Sequence, residues 1–114
     1  MTTNISIATS PAALAARAAQ FALLGDPLRL CIIEALAREQ LCTCHLIEIT
    51  GAKQTTVSHH LRILREAGVV QAEAEGRFTW YRLAPGSFTD GARQLQGIAL
   101  AAGSAPRLRP ACAP

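Results

Sequence analysis

The sequence is short of aromatic side chains, of charge and of long apolar runs, and each shortage closes off a class of protein. Phe, Trp and Tyr make up only 4% of the 114 residues, while Ala and Leu abound; this disfavours a β-sandwich and favours helices. Charged residues are 17% of the chain against 50% hydrophobic, so it folds rather than staying disordered. The richest apolar stretch, Ala12 to Leu24, is interrupted by Arg17 and Gln20 and is too short to span a bilayer. No basic region precedes it, so it reads poorly as an export signal, and a cytoplasmic protein without membrane contact is expected. Four cysteines in such a chain, with Cys42 and Cys44 separated by one residue, point away from a disulfide framework and towards metal or redox chemistry.

What remains is one modest domain with a net charge of +3, which permits a polyanionic partner without requiring one. Residues 1–10 are polar and aperiodic and read as a flexible arm. Residues 103–114 hold Pro106, Pro110 and Pro114 and read as a flexible tail, leaving 11–102 as the folded domain. Within it, Leu14, Ala18, Phe21 and Leu24 share one face of a first helix. Asp26 caps a second helix that opens on Pro27 and runs to about Arg38. A short helix over roughly Cys42 to Thr50 ends at Gly51, and a longer one runs from Gln54 to Ala67 and closes at Gly68. In that longer helix Val57, Leu61 and Leu64 form a buried stripe, opposite Thr55, Ser58, His59, Arg62 and Arg65.

Two helices joined through a glycine turn, the second with a polar and basic outer face, form the helix-turn-helix pattern. A hairpin follows directly: Val69 to Ala74, a turn at Glu75-Gly76-Arg77, and Phe78 to Leu83. The predicted architecture is therefore mainly α with a small β-hairpin, a winged helix-turn-helix that reads double-stranded DNA, with Arg77 at the wing tip facing phosphate. A last helix starts at Ser87, with Asp90 three residues on to complete its cap and Leu95, Ile98, Ala99 and Ala102 on one face. The helices at 12–24 and 88–102 carry more apolar surface than a domain of this size hides. A homodimer built from them is expected, the alternative being that they cover their own protomer's core.

Asp26-Pro27-Leu28-Arg29-Leu30, the run from Thr56 to Gly68 (TVSHHLRILREAG), Glu75-Gly76-Arg77 and Tyr81-Arg82-Leu83 resemble the ArsR/SmtB family of metal-responsive repressors in order and spacing. The resemblance implies a homodimeric winged-helix repressor whose operator affinity falls when an inducer binds. Carried over, the DNA-facing positions are Gln54, Thr55, Thr56, Ser58, His59 and Arg62, with Arg77 in the wing; His60 is assigned a structural place. Lys53 stands where the family usually has a Ser-like cap, which loses a cap and adds a charge that seeks phosphate.

Leu41-Cys42-Thr43-Cys44-His45 resembles the Cys-x-Cys box of arsenic-responsive and cadmium- or lead-responsive members. Thiolates are soft ligands, so As(III) or Sb(III) is the implied inducer, with Cd(II) or Pb(II) as alternatives. Residues i and i+2 of a regular helix lie about 200° apart, so Cys42 and Cys44 share an ion only if Cys42 sits in the cap or the turn unwinds. Unwinding would distort the helix that supports the DNA reader. Some arsenic sensors place a third Cys where this chain has Ile47, so the third ligand falls to Cys112, Cys31 or His45. By resemblance to members whose C-terminal Cys reaches across the dimer, Cys112 is assigned to it. The final helix lacks His and has only Asp90 as a carboxylate, which disfavours the zinc or nickel–cobalt site of other branches. Two alternatives accompany this reading: a cysteine redox switch on the same fold, and a thiol enzyme such as an arsenate reductase using His45 as base. The latter lacks a phosphate-cradling loop, and no catalytic residues are assigned.

Overall fold

Two Pro-led helices open the fold. In the computed structural model, which describes residues 10–112, the elements are α1 (Pro11–Leu23), α2 (Pro27–Leu36), β1 (Leu41–Cys42), α3 (Thr43–Thr50), α4 (Gln54–Glu66), β2 (Val70–Glu75), β3 (Phe78–Leu83) and α5 (Thr89–Ala101). The predicted arm at 1–10 lies outside the described residues except for Ser10, whose hydroxyl accepts from the Ala13 N–H at 3.2 Å and caps α1. Asp26 caps α2, accepting from the Leu28 and Arg29 N–H groups at 3.0 and 3.1 Å. Proline suits both starts because it fixes a helical φ where no N–H partner is needed.

The core lies between α2, α3, α4 and the base of the wing. Ile32, Ile33, Leu36, Leu41, Leu46, Val57, Leu61, Leu64, Val69 and Val70 form one buried cluster. The stripe Val57, Leu61, Leu64 faces inward as its spacing requires. Gly51 ends α3 at φ 70°, a left-handed turn that redirects the chain into α4. Thr50 Oγ1 stiffens that turn by donating to the Leu46 carbonyl at 2.7 Å and accepting from the Ala52 N–H at 3.2 Å.

The wing differs from the expected hairpin in one respect that matters for the site. The sheet has three strands in the order β1-β3-β2, all antiparallel, with Leu41 opposite Tyr81 and Cys42 opposite Trp80. Cys42 therefore ends a strand and caps α3 rather than opening that helix, and β2 starts at Val70 rather than Val69. Between β2 and β3 the loop is two residues long, and Gly76 takes φ 62° as its first position demands.

The last helix also starts later than expected. Ser87 does not cap it; its hydroxyl lies 3.5 Å from the Val69 carbonyl, to which it donates. Phe88 is the N-cap instead, at φ 65° and without a side-chain cap bond. Its ring packs against the core, and that burial offsets a left-handed conformation that costs an L-residue about 1–2 kcal/mol. Only Gly91 of α5 is buried, because a Cβ there would stand 2.9 Å from the Phe21 ring of α1. Leu95, Ile98 and Leu100 stay at least half exposed, so α5 does not cover its own protomer's core. After Gly103 the chain is exposed and without regular structure up to Cys112. Among the described residues, no helix is long and apolar enough to cross a membrane.

Candidate nucleic-acid interface and thiol cleft

One face of α4 is buried and the other is free to read. Gln54, Thr55, Thr56, Ser58, His59 and Arg62 are all exposed, and five of them, Thr56 excepted, line one shallow groove. Lys53 occupies the N-cap without a side-chain cap bond, so its ammonium and the first N–H groups of α4 present positive charge together. The Arg62 guanidinium can only donate, so its 3.4 Å contact makes His59 Nδ1 the acceptor. Arg77 stands exposed in the two-residue loop of the wing.

His60 faces the other way and joins a clasp that sequence reasoning missed. Arg29 of α2 donates through Nε to the Leu23 carbonyl at 3.0 Å and through Nη2 to the Ala22 carbonyl at 3.3 Å. Its Nη1 donates to His60 Nδ1 at 3.2 Å, while His60 Nε2 lies 3.9 Å from Asp26 Oδ2. The end of α1, the cap of α2 and the reading helix are thus tied through one guanidinium. Burial holds the His60 imidazole below its ordinary pKa against the pull of Asp26. Asp26 is lowered chiefly by the Arg29 N–H that it accepts. The signal available was Arg29 within Asp26-Pro27-Leu28-Arg29, a motif whose physical use lies in contacts the sequence does not display.

Cys42 and Cys44 are brought together. Cys42 is buried at 4% exposure and Cys44 is exposed in the first turn of α3. The Cys42 N–H donates to His45 Nδ1 at 3.0 Å, and the His45 ring sits 5.9 Å from Trp80. Burial raises the Cys42 thiol pKa, helped by the charges of Cys44 and Glu75, so Cys42 holds its proton until a ligand displaces it. Both thiols line a cleft of about 320 Å³ with Ile47, Gln54, Arg77 and Thr79. Cys42 is thus at the cap position and not at i of a regular helical i, i+2 pair with Cys44. Cys31 is half-buried in α2 and Cys112 is exposed on the tail; neither lines the cleft. Among the described residues, no three Cys, His, Asp or Glu side chains are grouped to hold a metal ion.

A short helix, a tight turn, a second helix with its polar and basic face free, and a wing carrying an arginine define a winged-helix DNA-binding protein. The chain belongs to the arsR family of bacterial regulatory proteins, whose model matches residues 26–72. An HTH-type transcriptional regulator of Methanocaldococcus jannaschii is 44% identical over 62 residues, 54% of this chain and 70% of that one. A transcriptional repressor SmtB homolog of Synechocystis is 44% identical over 64 residues, 56% of this chain and 48% of that one, so the match spans about half of that relative. A solved structure described as a possible transcriptional regulator for arsenical resistance is 26% identical at a TM-score of 0.63, covering 76% of this chain and 97% of that one. The chain is accordingly a transcriptional regulator of this family and not an enzyme, which removes the thiol-enzyme reading.

Proposed function

We propose that the chain represses transcription as a homodimer and releases its operator when arsenite, antimonite or another thiophilic ion, such as cadmium or lead, binds Cys42 and Cys44. The observation that carries this reading is the shared cleft of the two thiols beside the start of α4 and the wing. Arsenite enters as As(OH)₃, and each As–S bond forms as a thiol proton leaves with one hydroxyl as water. Arsenic stays trivalent throughout, and the third position is assigned to Cys112, whose exposed tail can travel to either protomer. The name of the arsenical-resistance structure supports the same chemistry. DNA contacts fall to Lys53, Gln54, Thr55, Thr56, Ser58, His59 and Arg62, with Arg77 on the backbone of the duplex. The exposed faces of α1 and α5, Leu14, Leu95 and Ile98 among them, support pairing of two copies.

Titrating the reduced chain on promoter DNA with arsenite, cadmium and lead tests this. Release by near-stoichiometric arsenite is expected, and its loss in the Cys42→Ser, Cys44→Ser double variant. A double variant that responds like the native chain would refute the thiol assignment. A Cys112→Ser variant with unchanged arsenite affinity would return the third position to Cys31, His45 or solvent.

A further inference from the structure

The residues assigned to the inducer and those assigned to DNA meet in one space. Cys42 and Cys44 form one side of the cleft, while Gln54 at the first turn of α4 and Arg77 and Thr79 of the wing form the other. The cause is β1. Its antiparallel pairing sets Cys42 opposite Trp80, and the first turn of α3 then begins in the cleft that Thr43 and Cys44 share with Phe78 and Thr79. A two-residue strand thereby brings Cys44 within the same cleft as the arginine expected to hold a phosphate. Cys42 occupies the cap of α3 and not a position inside the helix.

We propose that operator DNA and the thiol-bound inducer exclude one another by competing for this cleft, with Gln54 and Arg77 serving both occupants. Each of these side chains has one polar head, which addresses either the duplex or whatever the thiols hold. The coupling between inducer and DNA is then a direct exclusion at shared residues, with no need for a distorted helix to relay it. This inference rests on the proposed DNA-facing role of α4 and the wing and on the thiols as the inducer site.

The test uses the full chain, reduced and free of metal. Iodoacetamide alkylation is followed at each cysteine by peptide mass, with and without saturating promoter duplex. Reagent access governs the rate at a given thiol, so Cys44 is expected to slow by about 10-fold or more on DNA while Cys112 keeps its rate. An equal rate at Cys44 with and without DNA overturns the proposal, as does equal slowing of Cys44 and Cys112. A second measurement uses chain already carbamidomethylated at Cys44, again without metal. Its affinity for the duplex is expected to fall by about 10-fold, and an unchanged affinity overturns the proposal. The two readings fail separately. Arsenite-driven release with an unshielded Cys44 leaves the sensor and removes the shared cleft. A shielded Cys44 in a chain indifferent to arsenite leaves the shared cleft and removes the sensor.

Discussion

Helices α4 and α5 are both 13 residues long, yet they meet opposite fates within the protomer. In α4 three large side chains, Val57, Leu61 and Leu64, are almost wholly buried, and Gln54, Thr55, Ser58, His59 and Arg62 are exposed on the opposite face. In α5 only Gly91 is buried, while Leu95, Ile98 and Leu100 are 50%, 64% and 73% exposed. The reading half is complete in one copy because α2, α3 and the sheet close around α4. The flanking half is a single layer, α1 against α5, which meets the core only at its ends, through Leu23 and Phe88. The exposed apolar side chains of the flanking helices are where the proposed pairing of two copies would take place.

The largest way to break this contrast is to empty the reading half. Leu61→Ala should cost about 2–5 kcal/mol, enough to unfold much of a domain this small and to abolish DNA binding. Denaturant titration would measure it, and a loss under about 1 kcal/mol would mean that α4 is not the centre of the core. The matching change in the flanking half is Ile98→Glu. It should leave the circular dichroism spectrum unchanged while weakening self-association by at least about 10-fold, read by sedimentation. An intact dimer would show that α5 pairs through another face.

The contrast also explains what could be read in advance. The stripe of α4, the Asp26 cap and the Gly76 turn announce themselves because each rests on neighbours in sequence. β1 does not: two residues, both buried, show no alternation, and their partners Tyr81 and Trp80 lie far along the chain. That hidden strand is what decides whether Cys42 is a cap or a helix residue, so the thiol pair was legible but its geometry was not. Ser87 and Asp90 imitate a capping box, and the burial of the Phe88 ring overrides them. Arg29 stands in a recognisable motif, but its contacts leave no local signal, because two of its three partners are backbone carbonyls, which have no sequence signature, and the third is His60, 31 positions away.

Arg29 spans the division between the two halves, so Arg29→Ala should act on both. Removing it takes the side-chain donor from the Leu23 carbonyl and from His60, while the Ala22 carbonyl keeps its bond from the Gly25 N–H, a loss of about 1–3 kcal/mol by thermal or chemical unfolding. Arg82, exposed and bonded only at its surface to Gln71 at 2.9 Å, is the control and should lose less than about 1 kcal/mol when changed to Ala. Arg77→Ala is expected to spare stability and weaken DNA binding uniformly across sequences, lowering the salt slope by about 1. A sequence-dependent loss would instead make Arg77 a base reader.

The smallest effect sharpens the link between the halves and follows from the sign of one titration. His60 is held below its ordinary pKa of about 6.5, first by burial and then by the charges of Arg29 and His59, with Asp26 opposing. Its neutral form is the one the clasp uses, since Nδ1 must accept from the guanidinium. In the unfolded chain the imidazole takes up a proton near pH 6.5, whereas in the folded chain it does so only at lower pH. The unfolded state therefore binds more protons in that window, and stability rises with pH across it. The contribution is full above about pH 6.5 and is lost as pH falls through the folded value. Asp26, lowered chiefly by its bond from the Arg29 N–H, adds a second loss in the same direction below its ordinary value of 3.8. His60→Gln keeps an acceptor for Arg29 but does not titrate, so urea unfolding of the variant should vary less between pH 7.5 and pH 5 than that of the native chain. A native chain that gains stability relative to the variant on acidification would mean that the clasp holds a protonated imidazole, with Asp26 rather than Arg29 as its main partner.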